Sequence, residues 1–419
     1  MDAFPGWQRI CAFAGSLAAA CVATVAAAQT APPFAQLLRE TNDAPRVGII
    51  EADIDRAQGL ARQARARPNP EISVYGENFG GSSPYRGFDQ TETTVQYNQP
   101  LELGGKRSAR IAAGDAAVVA AQARGVQGRI DFALDLARAY AAVEVANRRI
   151  DIAEDEVEEA TDDLKVARAL VGAGKEARLR QLQAETELGT LQSDLDGARA
   201  TKTAALARLS ALAGSNVTYV DISDSLLDRL AARPATGPID PLQSASYLAA
   251  QADQQAAMLH VTAERKKAIP NVTAQIGVRR LEVTNTTALV AGIAVPLNLF
   301  DRNRGNIAAA EAEQRGAEAR AQAARLEAEA NARAAVALIE AADTRAASAD
   351  RTMKTAEETY RLARIAYEAG KAPLIELLAA RHGLGMARGV IIDAATARFD
   401  ARAMLARLKG LTITGEPVQ

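Results

Sequence analysis

From Gly105 to Val171 the chain carries no proline, and from Asp301 to Ala369 it carries none again. Proline inside a helix removes a hydrogen bond and collides with the preceding turn, so each run is free to form one uninterrupted helix. At about 1.5 Å per residue, roughly 67 residues make a rod on the order of 100 Å long. The first rod carries a seam. Ile150, Val157, Leu164 and Val171 fall seven apart, with Ala153, Ala160 and Ala167 three residues after each of the first three. That is an a/d pattern for packing on other helices, and alanine at d lets the partner approach closely.

The two runs belong to a duplicated unit. Gly370-Lys371 lies 196 residues after Gly174-Lys175, and Pro296-Leu297-Asn298-Leu299 lies 196 residues after Pro100-Leu101-Glu102-Leu103. Upstream, RPNPEISVYG at 67–76 pairs with AIPNVTAQIG at 268–277. Residues 29–235 form the first repeat: a helix, strands over 71–79 and 91–101, a long helix over 104–171, a tip at 172–175 and a return helix over 176–213. Residues 236–419 form the second: a helix over 241–268, strands over 271–280 and 287–298, a long helix over 301–369, a tip at 370–373 and a return helix over 374–410.

Each tip carries a glycine-lysine pair. A phosphate loop is excluded, because Glu176 follows Gly174-Lys175 where Ser or Thr is required, and Ala169 replaces the first glycine. Gly172, Gly174 and Gly370 are instead expected to reverse the chain, through backbone angles that glycine adopts cheaply.

The strand assignments rest on a period of two. Val272, Ala274, Ile276 and Val278 alternate with Thr273, Gln275, Gly277 and Arg279; Leu289, Ala291, Ile293, Val295 and Leu297 alternate with smaller residues. Val95 and Tyr97 alternate with Thr94, Gln96 and Asn98, while Ile72 and Val74 give a weaker signal. Segments of roughly ten residues suit tilted strands in an outer membrane, and they equally suit soluble hairpins. The long helices favour the membrane. Four strands cannot close a barrel, and an open edge in lipid leaves backbone groups unpaired. Two copies would give eight strands filled by side chains, and three would give twelve with a lumen.

Composition agrees with long helices: aromatic residues are 4% of the chain, and alanine, the best helix former, carries much of the apolar fraction. A net charge of -2 gives no electrostatic basis for nucleic-acid binding. Arg9 precedes an apolar run from Ile10 to Ala28 that ends in Ala26-Ala27-Ala28, so residues 1–28 are expected to be a secretory signal peptide. An alternative reading makes Cys21 a lipidation site. Cys11 and Cys21 both lie in this segment, so the mature chain would hold no cysteine. With only His260 and His382 besides, no transition-metal site is expected.

PLELGGKR at 100–107, PLNLFDRNRG at 296–305 and the paired tips resemble TolC-like outer-membrane efflux channels. Within that group they most resemble the outer-membrane component of cobalt-zinc-cadmium (CzcC-type) resistance-nodulation-division systems, over residues 40 to 412. The resemblance implies an α+β membrane protein: a homotrimer whose twelve-stranded barrel, four strands per chain, sits in the lipid of a Gram-negative outer membrane. A long α-helical tunnel would continue it across the periplasm. It implies a periplasmic adaptor (membrane fusion protein) and an inner-membrane, proton-driven RND-type pump as partners, and no cofactor. It assigns adaptor contact and the entrance tip to Val171, Gly172, Ala173, Gly174 and Lys175, and to Ala369, Gly370 and Lys371. Glu376 takes the place of an acidic entrance gate in the second repeat; Arg180 stands there in the first, which departs from an all-acidic gate.

Three other readings compete. A multidrug or type I protein-secretion channel would share this architecture. A periplasmic coiled-coil adaptor would have one helical hairpin flanked by compact β domains, whereas this chain has two hairpins, each preceded by paired strands. An enzyme is disfavoured, since no carboxylate pair, histidine cluster or nucleophile stands at catalytic spacing.

Overall fold

The computed structural model describes residues 29–231, 238–369 and 371–417. Cys11, Cys21 and the expected signal peptide at 1–28, and the tip glycine Gly370, lie outside the described residues. In chain order the elements are β1 (Thr30–Ala31), α1 (Phe34–Glu40), α2 (Pro45–Arg65), β2 (Glu71–Glu77), β3 (Glu92–Leu101), α3 (Lys106–Gly172), α4 (Arg178–Ala213), β4 (Asp221–Ile222) and α5 (Leu226–Ala231). There follow α6 (Ala245–Lys267), β5 (Val272–Leu281), β6 (Thr286–Ala294), α7 (Arg304–Glu368) and α8 (Leu374–Lys409). The two long helices contain 67 and 65 residues, so the absence of proline does translate into unbroken rods.

Several expected boundaries move, each for a local reason. The strand expected over 71–79 stops at Glu77, because Asn78 takes a positive φ of 58° and turns the chain. The strand expected over 287–298 spans Thr286–Ala294 instead, and Val295 and Leu297 lie beyond it, next to a proline that has no N–H to continue a ladder. Pro100, by contrast, sits within β3, where the pairing of β2 with β3 has already ended at Asn98. The helix expected over 241–268 is broken: Pro241–Gln243 form a 3-10 turn and Ser244 resets the chain before α6. The long helices begin at Lys106 and Arg304, after N-caps Gly105 (φ 76°) and Asn303 (φ 59°) in the left-handed region.

Both repeats contribute to one antiparallel sheet in the order β2-β3-β5-β6. The halves join where β3 pairs β5, with Val95 opposite Val278 and Tyr97 opposite Ile276. The sheet passes into the helices through tight joints. At Gly104 (φ 67°) a Cβ would fall 2.6 Å from Ile269 Cδ1. Lys106 Nζ donates to Asn271 Oδ1 at 2.7 Å, and Asn303 Nδ2 donates to the Glu264 carbonyl at 2.9 Å.

Beside the sheet, α3 packs between α2 and α6, and α6 packs on α7; farther away, α3 packs on α4 and α8, and α8 packs on α7. The layer thus reads α2-α3-α6-α7 near the sheet and α4-α3-α8-α7 at the far end. One flank is α7 and β6; the other is α2, α4 and β2. The contacts run on small side chains: the a/d seam of α3 buries Ala153, Ala160 and Ala167, and among the described residues α7 buries alanines alone, including Ala310, Ala317, Ala328 and Ala335.

The largest apolar core lies midway along the helices, where α1, α4, α5 and α8 surround α3. Tyr140 is fully buried there against Phe34, with ring centroids 6.0 Å apart and edge-to-face. Glu144, also buried, accepts from the Ser225 hydroxyl at 2.6 Å and from the amides of Leu226 and Leu227 at 2.9 and 3.0 Å. A carboxylate on α3 therefore caps the first turn of α5 and satisfies its free N–H groups.

Candidate functional site

The sheet has two chemically distinct faces. Side chains on paired strands share a face at paired positions, so Ile72, Tyr97, Ile276 and Ala291 form one cross-strand row, and Val74, Val95, Val278 and Leu289 form the next. These rows are open to the surroundings; Leu289 is 84% exposed and Ile72 is 72% exposed. The rows end in polar residues on the side away from the helices, with Thr93, Arg280 and Thr287. The opposite face carries Ser73, Gln96, Thr94, Asn98, Gln275 and Arg279. An apolar exposed face backed by a polar one is the pattern of strands that divide lipid from water. Among the described residues no helix is long and apolar enough to cross a membrane.

At the far end of the helices lie the two tips. Lys175 N bonds to Leu170 O and Gly174 N to Val171 O, with Gly174 at φ 70°. This is a helix C-terminus closed by a left-handed glycine. The turn continues through Ala177, so the return helix starts at Arg178 rather than 176. Gly172 does not take part: it is helical and a Cβ there would meet nothing within 4 Å, so the reversal does not account for it. In the second tip Lys371 N and Ala372 N both bond to Ala366 O before Pro373 opens α8. Gly172, Ala173, Gly174 and Lys175 are exposed, as are Ala369 and Lys371, and Val171 is half-buried.

Arg180 lines the cleft between the two hairpins and Glu376 does not. Glu376 is exposed in the first turn of α8. Arg180 lies beside Glu176, 3.7 Å apart, in a cleft of about 980 Å³ between the two hairpins that also takes in Lys175 and Tyr367.

Deeper in that seam, α3 presents carboxylates to arginines on α8. Arg381 is 5% exposed; its Nη1 donates to Asp163 Oδ2 at 2.6 Å and its Nη2 to Glu187 Oε1 on α4 at 3.0 Å. Arg388 Nη2 lies 3.6 Å from Asp155 Oδ2 and 3.7 Å from Glu159 Oε1. Burial pushes the carboxyls of Glu156, Glu159 and Asp163 above their ordinary values against the pull of these arginines. In the sequence Arg381 is marked only by its place in the stripe Leu374, Leu377, Leu384, where a charge interrupts an apolar spacing. His260 lies 3.6 Å from Glu264 and 3.5 Å from Glu313, and among the described residues no group of three His, Cys, Asp or Glu side chains is arranged to hold a metal ion.

The arrangement is shared with known proteins. Residues 40–215 and 242–411 match the model of a family described as outer membrane efflux protein, so each half of the chain carries the match. The nickel-cobalt-cadmium resistance protein NccC of Alcaligenes xylosoxydans xylosoxydans is 41% identical over 386 residues, covering 91% of this chain and 87% of the relative. The cobalt-zinc-cadmium resistance protein CzcC of Cupriavidus metallidurans is 29% identical over 365 residues, covering 85% of each. The fold is that of the Campylobacter jejuni CmeC outer membrane channel, with a TM-score of 0.77 over 92% of this chain and 87% of that one at 13% identity. The match runs through both repeats, both tips and the four-stranded sheet, and on that ground the chain belongs to the outer membrane efflux protein family.

Proposed function

We propose that the chain is the outer-membrane exit duct of a tripartite heavy-metal efflux pump. Three copies close a twelve-stranded barrel in the lipid, and their helices continue it as a tunnel through the periplasm. One observation carries this reading: β2 and β6 are unpaired sheet edges on an element whose one face is apolar and exposed. Unpaired backbone in lipid costs several kcal/mol per group, so such a sheet is stable there only when further copies pair with its edges. The flanks differ, so the contact between copies is head-to-tail and closes as a ring.

The tips, Val171 to Lys175 in the first hairpin and Ala369 and Lys371 in the second, with Gly370 assigned there by sequence position alone, are the docking surface for a periplasmic adaptor, which couples the duct to an inner-membrane RND-type pump. Glu376 and Arg180 line the approach to that entrance. The relatives are named for resistance to nickel, cobalt, cadmium and zinc, and by that likeness the exported material is a divalent metal cation. Selection then lies in the pump and adaptor. This chain performs no catalysis and holds no cofactor; it supplies a passive path, reached after export directed by residues 1–28.

Membrane fractionation with unheated gel electrophoresis tests the assembly, with an outer-membrane species of about three chains expected. A deletion strain should become sensitive to these metals and regain resistance when the gene is returned. A stable monomer that stays in water without detergent would overturn the reading.

A further inference from the structure

The polar face of the sheet carries only four charged side chains, Glu71, Glu77, Glu92 and Arg279. Glu71 lies near the helices; the other three lie at the far end. Arg279 does not project freely. Its Nη1 donates to Glu92 Oε2 at 3.0 Å, its Nε donates to Thr94 Oγ1 at 3.0 Å, and its Nη2 lies 3.4 Å from Glu77 Oε2. The arginine comes from β5 and its partners from β2 and β3, so three strands fix the guanidinium along the wall. A planar fork of donors suits this, since each of the three nitrogens has an oxygen partner along the sheet. The local balance is negative, with two carboxylates against one guanidinium. Arg280, one residue on, points to the apolar face and pairs with Glu282 in the adjoining turn.

Resting on the barrel reading above, we infer that Glu77, Glu92 and Arg279 set the charge selectivity of the duct at its outer end, favouring cations over anions. Arg279 is the counterweight. Held flat by the two carboxylates, it trims the negative field without placing a free positive charge in the path of a departing ion. The set acts as fixed wall charge on hydrated ions in transit, not as a site that strips and holds a metal.

The test uses the absence of cysteine from residues 29–417. Ala288 faces Arg279 across the β5–β6 pair and is exposed. With Ala288→Cys as reporter in the full-length protein in intact cells, the rates of modification by a cationic trimethylammonium methanethiosulfonate and an anionic sulfonate methanethiosulfonate are compared at low ionic strength. A unit charge about 8 Å away in water changes each rate by roughly 2.4-fold in opposite senses, so one charge alters the ratio about sixfold. Arg279→Gln should raise the cation-to-anion ratio by about that factor. Glu92→Gln, and more so Glu77→Gln with Glu92→Gln, should lower it; Arg279→Lys and Arg280→Gln should leave it near the parent value. A reactive reporter whose ratio ignores Arg279→Gln and both glutamate variants overturns the inference. A reporter that neither reagent reaches overturns the barrel reading beneath it, because that face would then not line water.

Discussion

Replacing Arg381 with methionine tests what holds the two hairpins together. The change keeps much of the aliphatic volume of the side chain and removes its charge. Two charge-assisted hydrogen bonds go, but they are unequal. Glu187 is about half exposed (side chain 49%), and a pair of that kind is worth about 0–1 kcal/mol. Asp163 is mostly buried (21%) beside an arginine side chain that is 6% exposed; stripping one partner from a fully buried pair costs about 3–5 kcal/mol. Residual solvent access and an already raised carboxyl pKa let Asp163 take up a proton when its partner is lost. The net cost is therefore about 2–3 kcal/mol, or roughly 30- to 150-fold in the equilibrium for local opening.

Native-state amide hydrogen exchange along the first turns of α8, in the detergent-solubilised assembly, reads that quantity directly. Protection there should fall by the stated factor, while amides around Tyr140 remain unchanged. Glu187→Gln should lower protection less than about fivefold. Asp163→Asn should cost much in the parent and almost nothing in the Arg381→Met background, since the two residues act as one unit. Unchanged protection, or additive effects of the two substitutions, would refute the view that this ion pair clamps the seam.

Two further predictions concern the tip and the pH response. Gly174→Val places a β-branched residue at φ 70° with nothing within 4 Å of its Cβ, so the cost is conformational, about 1–2 kcal/mol or more, and confined to the tip. Membrane assembly should persist on unheated gels while metal resistance falls; full resistance would count against the tip as the docking surface. Acidification should act in opposite senses on two regions. Glu156, Glu159 and Asp163 have raised pKa values, so the folded seam binds more protons than the unfolded chain. Its stability therefore drops as pH rises from the ordinary carboxylate range to the raised values, and is regained on acidification. Asp228, held low mainly by its hydrogen bond from Arg148, and Asp221, held low by hydrogen bonds from Asn147, Ile222 N and Lys202 that outweigh its burial, contribute stability present above the ordinary range and lost as pH falls through their lowered values. Hydrogen exchange across that range should show protection rising in the seam and falling around β4 and α5; parallel changes in both would exclude this account.

What the sequence revealed divides along the range of the interactions. Helix length and strand alternation are local, so the missing prolines and the period of two at Val272–Val278 located the rods and the faces correctly. The equal spacing of the tips and proline motifs exposed the duplication because a repeat leaves its signature at fixed distance. The pairing of β3 with β5, which fuses the repeats, leaves no comparable mark. Nor do Arg279 with Glu92 or Arg381 with Asp163, whose partners are 187 and 218 residues away. Strand ends depart from the alternation where one backbone angle decides, as at Asn78, and Gly174 performs alone the reversal that the sequence assigns to Gly172 as well.

The unlike flanks of the subunit have a consequence for inheritance. One side of the subunit is α7 and β6 and the other is α2, α4 and β2; in the ring proposed above these sides would meet on neighbouring copies, so a copy damaged along a single flank would still engage through its intact one. Such a copy would occupy a place in the circle and leave a gap that healthy copies cannot bridge, so a cell carrying both alleles would lose more than half of its working ducts.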